Sequence, residues 1–240
     1  MRTGRWLACA ACACAAASAT AAFEAQARAK IAVDALRLAP PSLGRQLARH
    51  RPSLIRGAKG EFPATLAEAK RRLTEETEAA VSLINARRSF KKVSEALGRI
   101  AGIMACVNDP LWGESAPELR EDGARFAGFF EDRMGRFPLV FNGYTGSWVR
   151  GGDLDGFIDS IRARYRDDRK SLTSAYHPAH GGPVRSSDFD DRSVPFAIAS
   201  LAYSHAVTDA AHLWIHIWGR AHGDLSDTPY LADTLRGEAP

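Results

Sequence analysis

One segment near the middle of the chain most constrains the fold, because apolar side chains recur there at every third or fourth position. The repeat consists of Phe90, Val93, Leu97, Ile100, Met104 and Val107, and Pro110 follows it. This spacing places the six side chains on one face of an α-helix. Proline ends such a helix, since it lacks the N–H donor and its ring clashes with the preceding turn. The segment therefore predicts a central buried helix over residues 89–108.

The remainder of the chain is also predicted to be helical. Helical periodicity, proline stops and capping residues predict further helices over 23–38, 43–56, 64–86, 115–134, 154–165 and 194–220, and loops over 60–63, 135–152 and 170–192. No stretch of useful length alternates apolar and polar residues as a strand does. We therefore predict the all-α fold class, with a single multi-helix domain with long loops over 23–225 and an irregular C-terminal tail over 226–240.

The first 22 residues predict export. Arg2 and Arg5 form a short positive region, an apolar run from Trp6 to Ala17 follows, and small residues come next. This is the pattern of a secretory signal peptide. The run is too short and too rich in alanine for a membrane span, which needs about 20 strongly apolar residues. We expect a secreted or periplasmic protein without a membrane span, released by cleavage after Ala19, Ala21 or Ala22.

Removal of this segment changes the charge and the cysteine content. The chain has 32 Lys and Arg against 28 Asp and Glu, and the loss of Arg2 and Arg5 leaves 30 against 28, a net charge of +2. Such a small charge is not a strong indication of nucleic-acid binding. Of the 4 cysteines only Cys106 lies beyond residue 22, so no intrachain disulfide can form. Stability is therefore expected to come from a packed core.

Residues 97–113 keep the frame of a known metal-binding motif, with Leu97, Gly98, Ala101, Asn108, Pro110 and Leu111 in place. The segment resembles the signature of the zinc-dependent phospholipase C and single-strand-specific nuclease superfamily. In that family the pattern is Leu-Gly-x-x-Ala-His-x-x-x-Asp-x-x-x-Pro-x-His, and its two His and one Asp bind zinc. Here the three ligand positions hold Gly102, Cys106 and Trp112.

The resemblance extends toward the N-terminus. Residues 23–31 have the same frame as the family pattern Trp-x-x-x-Ala-His-x-x-Ile, in which the first residue of the mature chain binds zinc through its amino group and carbonyl. Phe23 stands at the Trp position and Arg28 at the His position, and cleavage after Ala22 would make Phe23 the N-terminus. In the next family block Glu61 is the only carboxylate near the Asp ligand. The last family motif, His-x-x-x-Asp or His-x-x-x-Glu, has no counterpart near residues 125–130.

The resemblance implies a phospholipase C/nuclease type of fold from which most zinc ligands have been lost. Zinc chemistry on phosphoesters needs several imidazole and carboxylate ligands in fixed geometry. Gly102 offers none, and Arg28 is a permanent cation that repels zinc and could instead attract an anionic ligand into the old cleft. Cys106 and Glu61 could hold a metal weakly between them. The simpler interpretation makes Cys106 a small buried residue and Glu61 a solvated acid.

A second pattern lies on the last helix, where His205, Asp209, His212 and His216 are spaced four, three and four residues apart. The four side chains share one helix face, and these spacings suit chelation of zinc or copper. The alternative is a polar stripe, exposed or hydrogen-bonded, on an amphipathic helix that buries its other face. We favour the polar stripe and expect no cofactor, with zinc as the alternative.

Three hypotheses about function remain open. The first, which we favour, is an exported protein on the phospholipase C/nuclease scaffold that is catalytically degenerate and has a binding or structural role. The second is a divergent metal-dependent phosphoester hydrolase that uses Cys106, Glu61 and the histidine face. The third is an exported helical interaction protein unrelated to the family. The hypotheses differ in whether Phe23, Arg28, Glu61, Gly102, Cys106 and Trp112 meet in space.

Overall fold

The computed structural model describes residues 23–113, 116–144, 152–180 and 182–231, and these residues form helices and loops without a β-strand. The all-α fold class is thereby confirmed. The predicted signal peptide over 1–22, the predicted capping residue Ser115 and the tail beyond Leu231 lie outside the described residues. No helix in the described ranges is both long enough and apolar enough to cross a bilayer.

The described residues contain nine α-helices and two single turns of 3-10 helix, at Ala35–Arg37 and Ser186–Asp188. In chain order the α-helices are α1 (Ala25–Asp34), α2 (Pro41–Arg49), α3 (Arg51–Ala58), α4 (Leu66–Asn85), α5 (Phe90–Val107), α6 (Pro117–Arg133), α7 (Leu154–Arg164), α8 (Arg166–Tyr176) and α9 (Val194–Arg220).

Two of these helices form the centre of the molecule. Every residue of α5 from Ile100 to Val107 is buried, and α5 packs against α1, α3, α4 and α9. The predicted central helix over 89–108 is therefore confirmed. In α9 all residues of the range 206–215 are buried as well. A helix that is buried on all sides lies within the core, so α9 is not the amphipathic surface helix that its polar residues suggested.

Helices α3 and α5 approach each other unusually closely because glycines line their contact. A Cβ atom built on Gly57 would lie 2.1 Å from the Glu95 carbonyl oxygen, and one on Gly98 would lie 2.1 Å from that of Leu54. These separations are far below van der Waals contact, so only glycine permits this backbone geometry. The contact fixes the end of α3 against the middle of α5, where the predicted site residues lie.

The structure corrects two boundaries. Residues 170–192 are not one long loop, because α8 continues to Tyr176 and buries Leu172 and Tyr176 completely. The many polar residues of this segment suggested a loop. Leu172 and Tyr176 nevertheless lie four residues apart on one helix face, and their burial is enough to hold a short helix against the core. The helix predicted over 43–56 is divided into α2 and α3 at His50, with Pro52 in the first turn of α3.

Candidate functional site

The first turn of α1 holds a buried arginine, Arg28, whose hydrogen bonds go to backbone carbonyls. The side chain of Arg28 is only 4 % exposed. Its Nε donates to the oxygen of Ala58 (3.1 Å), and one terminal nitrogen donates to that of Phe23 (3.2 Å). The other terminal nitrogen donates to the oxygens of Lys59 (3.4 Å) and Gly60 (3.1 Å). One cation thus joins the start of the described chain to the end of α3.

Electrostatics explains why this arginine is tolerated in the core. The last carbonyls of a helix have no partner within the helix and carry the negative end of its dipole. Arg28 satisfies these carbonyls at the end of α3, and its guanidinium lies 4.8 Å from the centre of the Phe62 ring. Burial of a charge is costly unless it is paired and hydrogen-bonded. Here the charge of Arg28 is stabilised by hydrogen bonds to four carbonyl oxygens.

Three of the positions that match family ligands meet around this guanidinium. Arg28 contacts the carbonyl of Phe23 and the thiol of Cys106. Ala58, which accepts from Arg28, lies against Gly102, where an added Cβ would be 2.7 Å from the Ala58 oxygen. Phe23, Arg28, Gly102 and Cys106 therefore form one cluster, which we call the Arg28 cluster.

The other two positions lie outside the Arg28 cluster. The side chain of Glu61 is exposed, in agreement with a solvated loop acid. Trp112 is 1 % exposed, and its indole nitrogen donates to the carbonyl of Pro63 at 3.2 Å. Arg162 lies over the Trp112 ring and donates to its carbonyl at 2.9 Å. Trp112 thus attaches the segment after α5 to the loop before α4 and to α7.

The residues of the Arg28 cluster do not fit a zinc ion. Gly102 has no side chain and no room for one, and Arg28 brings a fixed positive charge. Burial raises the pKa of the Cys106 thiol to about 12, and neighbouring Arg28 offsets only part of that shift. A zinc ion would have to displace the thiol proton at this buried position, beside the fixed positive charge of Arg28. The expectation that Arg28 attracts an external anion into an open cleft is also wrong, because the side chain is buried and its donors are engaged.

A polar network that the sequence did not indicate connects α5, α7 and α9. The amide of Asn108 donates to a carboxylate oxygen of Asp209 at 3.1 Å and to the carbonyl of Met104 at 3.1 Å. The Tyr165 hydroxyl donates to Asn108 at 2.8 Å, and Arg164 lies 3.4 Å from Asp209. Burial raises the pKa of Asp209, although Arg164 and Asn108 act in the opposite direction. In the sequence Asn108 attracted notice only as a frame residue of the family motif.

The histidine face of α9 is not a solvated polar stripe. His212 is 1 % exposed, and its ring centre lies 5.2 Å from those of Tyr144 and Phe157. His205 and His216 are half-buried, and His216 lies against Gly152. Burial lowers the pKa of His205 to about 4, of His212 to about 3 and of His216 to about 4. The expectation of a surface position for His212 is therefore wrong.

Asp209 and His212, the two buried members of the histidine face, have different surroundings. Asp209 belongs to the network with Asn108 and Arg164, and His212 lies between two aromatic rings. Within the described residues no group of three or more His, Cys, Asp or Glu side chains is arranged to hold a metal ion.

A buried acid and a histidine also join two distant parts of the chain. Asp122 of α6 is completely buried, and one of its oxygens lies 2.9 Å from Nε2 of His177, which follows α8. The second oxygen of Asp122 has no hydrogen-bond partner among the described residues. His177 connects the end of α8 to α6, although its side chain remains 41 % exposed. The two residues are 55 positions apart, so local sequence patterns could not reveal the pair.

No family model, no curated protein and no solved structure matches the chain.

Proposed function

We propose that the chain is an exported, catalytically degenerate protein on a phospholipase C/nuclease-like scaffold, with a binding or structural role. The observation that carries this proposal is the Arg28 cluster. Four of the six positions that fit the family's ligand frame lie together, but their chemistry is that of a protein interior. A guanidinium stands among them and binds carbonyls, including that of Phe23.

The same cluster explains how such a scaffold is stable without a metal. A metal ion in this place would tie the N-terminal segment to neighbouring helices. Arg28 makes an equivalent connection, because its donors reach Phe23, Ala58, Lys59 and Gly60. Hydrogen bonds that involve a charged donor are stronger than neutral ones. This connection does not depend on metal supply and is insensitive to chelators.

Hydrolysis and metal content provide the test. The protein is produced from Phe23 onward, and turnover of bis(p-nitrophenyl) phosphate is followed with added zinc and with EDTA. We expect no zinc-dependent turnover above background, no stoichiometric zinc in the purified protein, and no change of melting temperature with zinc or EDTA. Turnover that EDTA abolishes and zinc restores would refute the proposal and favour a divergent hydrolase.

If zinc-dependent turnover is found, two variants show which residues hold the metal. Cys106→Ser removes the one soft ligand of the cluster and leaves its volume nearly unchanged. His212→Ala removes the centre of the histidine face. Loss of zinc-dependent turnover in the first variant would place the metal in the Arg28 cluster, and loss in the second would place it on α9. Either result contradicts a degenerate site.

A further inference from the structure

A groove on the outside of α1 and α3 is lined by both apolar and charged side chains. Its volume is about 370 Å³. Val33 of α1, Ile55 of α3 and Met134 after α6 line it with apolar, partly exposed side chains. Small-molecule sites in proteins are concave, mostly apolar and start at about 300 Å³. The groove therefore suits a compact ligand with an apolar part.

The polar lining of the same groove is predominantly positive. Arg51 and Lys59 are exposed, and neither has a carboxylate partner among the described residues. The third cation, Lys30, lies 2.7 Å from Asp34, the only acid in the lining. The Asp34 carboxylate also accepts a hydrogen bond from Tyr203. The one negative charge is thus already matched, and the groove keeps two unpaired positive charges.

The backbone at the Lys59 end of the groove is hydrogen-bonded to the protein interior. Arg51 and Lys59 are eight residues apart along α3 and its C-cap, a separation of about 12 Å at 1.5 Å per residue. Ile55 lies midway between them on the same face. The carbonyl of Lys59 accepts a hydrogen bond from Arg28, so the Arg28 cluster fixes the backbone at one end of the groove. The two cations and the apolar side chain between them therefore lie along one side of the groove.

We propose that this groove binds a small organic anion with an apolar body, such as an alkyl carboxylate or an alkyl phosphate monoester. Lys59 or Arg51 pairs with the anionic group, and the hydrocarbon part lies over Val33 and Ile55. The limited volume argues for a small molecule, because a stable protein interface buries more than about 1,000 Å² in total. The groove faces outward from α1, so this proposal stands or fails separately from that on phosphoester hydrolysis.

Calorimetric titration of the protein from Phe23 onward tests the ligand class. The probes are octanoate, octyl phosphate, butanoate and octyltrimethylammonium. We expect saturable binding of the two eight-carbon anions and none of the cation. Butanoate binds at least about tenfold more weakly than octanoate, because each buried methylene contributes about 0.8 kcal/mol. Equal binding of the cationic and anionic probes, or no saturation by either eight-carbon anion, would overturn the proposal. A preference between carboxylate and phosphate identifies the anionic group.

Matched double variants test the location. Arg51→Ala with Lys59→Ala weakens octanoate binding about fivefold, since the solvated charge pair with the carboxylate is lost whichever of the two cations forms it. Lys91→Ala with Lys92→Ala is the control, because these exposed lysines at the start of α5 carry the same total charge and also lack partners in the described part of the chain. Equal affinity of the two double variants would place binding elsewhere and overturn the assignment. Binding to anionic vesicles without binding of monomeric octanoate would overturn it too.

Discussion

Replacement of single glycines by alanine measures how much the fold depends on the close approach of α3 and α5. In Gly98→Ala the new methyl carbon would lie 2.1 Å from the Leu54 carbonyl oxygen, and in Gly102→Ala it would lie 2.7 Å from that of Ala58. Both obstacles are backbone atoms, which cannot rotate aside as a side chain can. The helices have to separate, by about an ångström in the first variant, and the packing of α5 is disturbed along its length.

The expected cost follows from two opposing effects. Alanine in a helix interior is favoured over glycine by about 1 kcal/mol, whereas overpacking of a core costs about 1–3 kcal/mol and sometimes more. We expect Gly98→Ala to lower the free energy of unfolding by about 3 kcal/mol and Gly102→Ala by about 1–2 kcal/mol. For a domain of this size these losses correspond to melting temperatures lower by about 6–12 °C and 2–8 °C.

Gly128→Ala is the matched control for this measurement. Gly128 lies within α6, is exposed, and has nothing within 4 Å of an added Cβ. The helix-propensity gain is then unopposed, so this variant should be more stable by about 0.5–1 kcal/mol. Urea unfolding followed by tryptophan fluorescence gives all three values. Wild-type stability of Gly98→Ala, or an equal loss in Gly128→Ala, would refute the close contact as the cause.

Two further predictions concern buried charge. Arg28→Met leaves the carbonyls at the end of α3 without donors and should lower the free energy of unfolding by about 3–5 kcal/mol, and Arg28→Lys should lower it by less. Urea unfolding measures both values. A loss under about 1 kcal/mol in Arg28→Met would contradict the role given to the guanidinium. The folded-state pKa values of His205, His212 and His216 lie below the ordinary 6.5, so the unfolded chain takes up more protons below that pH. The free energy of unfolding should therefore fall as the pH decreases from about 6.5 toward 4, partly opposed by the raised pKa of Asp209. His212→Gln should reduce this slope, and an unchanged slope would show that His212 does not titrate in this way.

The sequence was most informative where one residue pattern has one physical meaning. The apolar repeat from Phe90 to Val107 predicted α5 almost to the residue, because a long stripe of this kind fits only a buried helix. The start of α9 was found for a similar reason, since Ser193 accepts the hydrogen bond of the Phe196 amide as an N-cap residue does. Local patterns of this kind involve neighbours that are fixed by the helix itself.

The sequence was least informative where the partner is distant or is a backbone atom. The polar residues on α9 predicted a solvent-exposed face, but neighbouring elements cover His212 and Asp209. The periodicity of one helix does not show how many other elements pack around it. Hydrogen bonding of Arg28 to four carbonyls leaves no trace in residue types, since every residue has a carbonyl. The frame of the family motif did place Arg28 near Cys106 but gave no indication that the cation would be enclosed.

The glycine contact between α3 and α5 also restricts how this protein can be redesigned. A histidine introduced at residue 102 has no space in which to extend, because its first side-chain carbon would lie 2.7 Å from the Ala58 carbonyl oxygen. Installation of a metal ligand there requires that α3 be moved first, which also removes the carbonyls that hold Arg28. An engineer who wishes to build a metal centre at this point must therefore begin with the path of a neighbouring backbone, and substitutions of ligand residues come second.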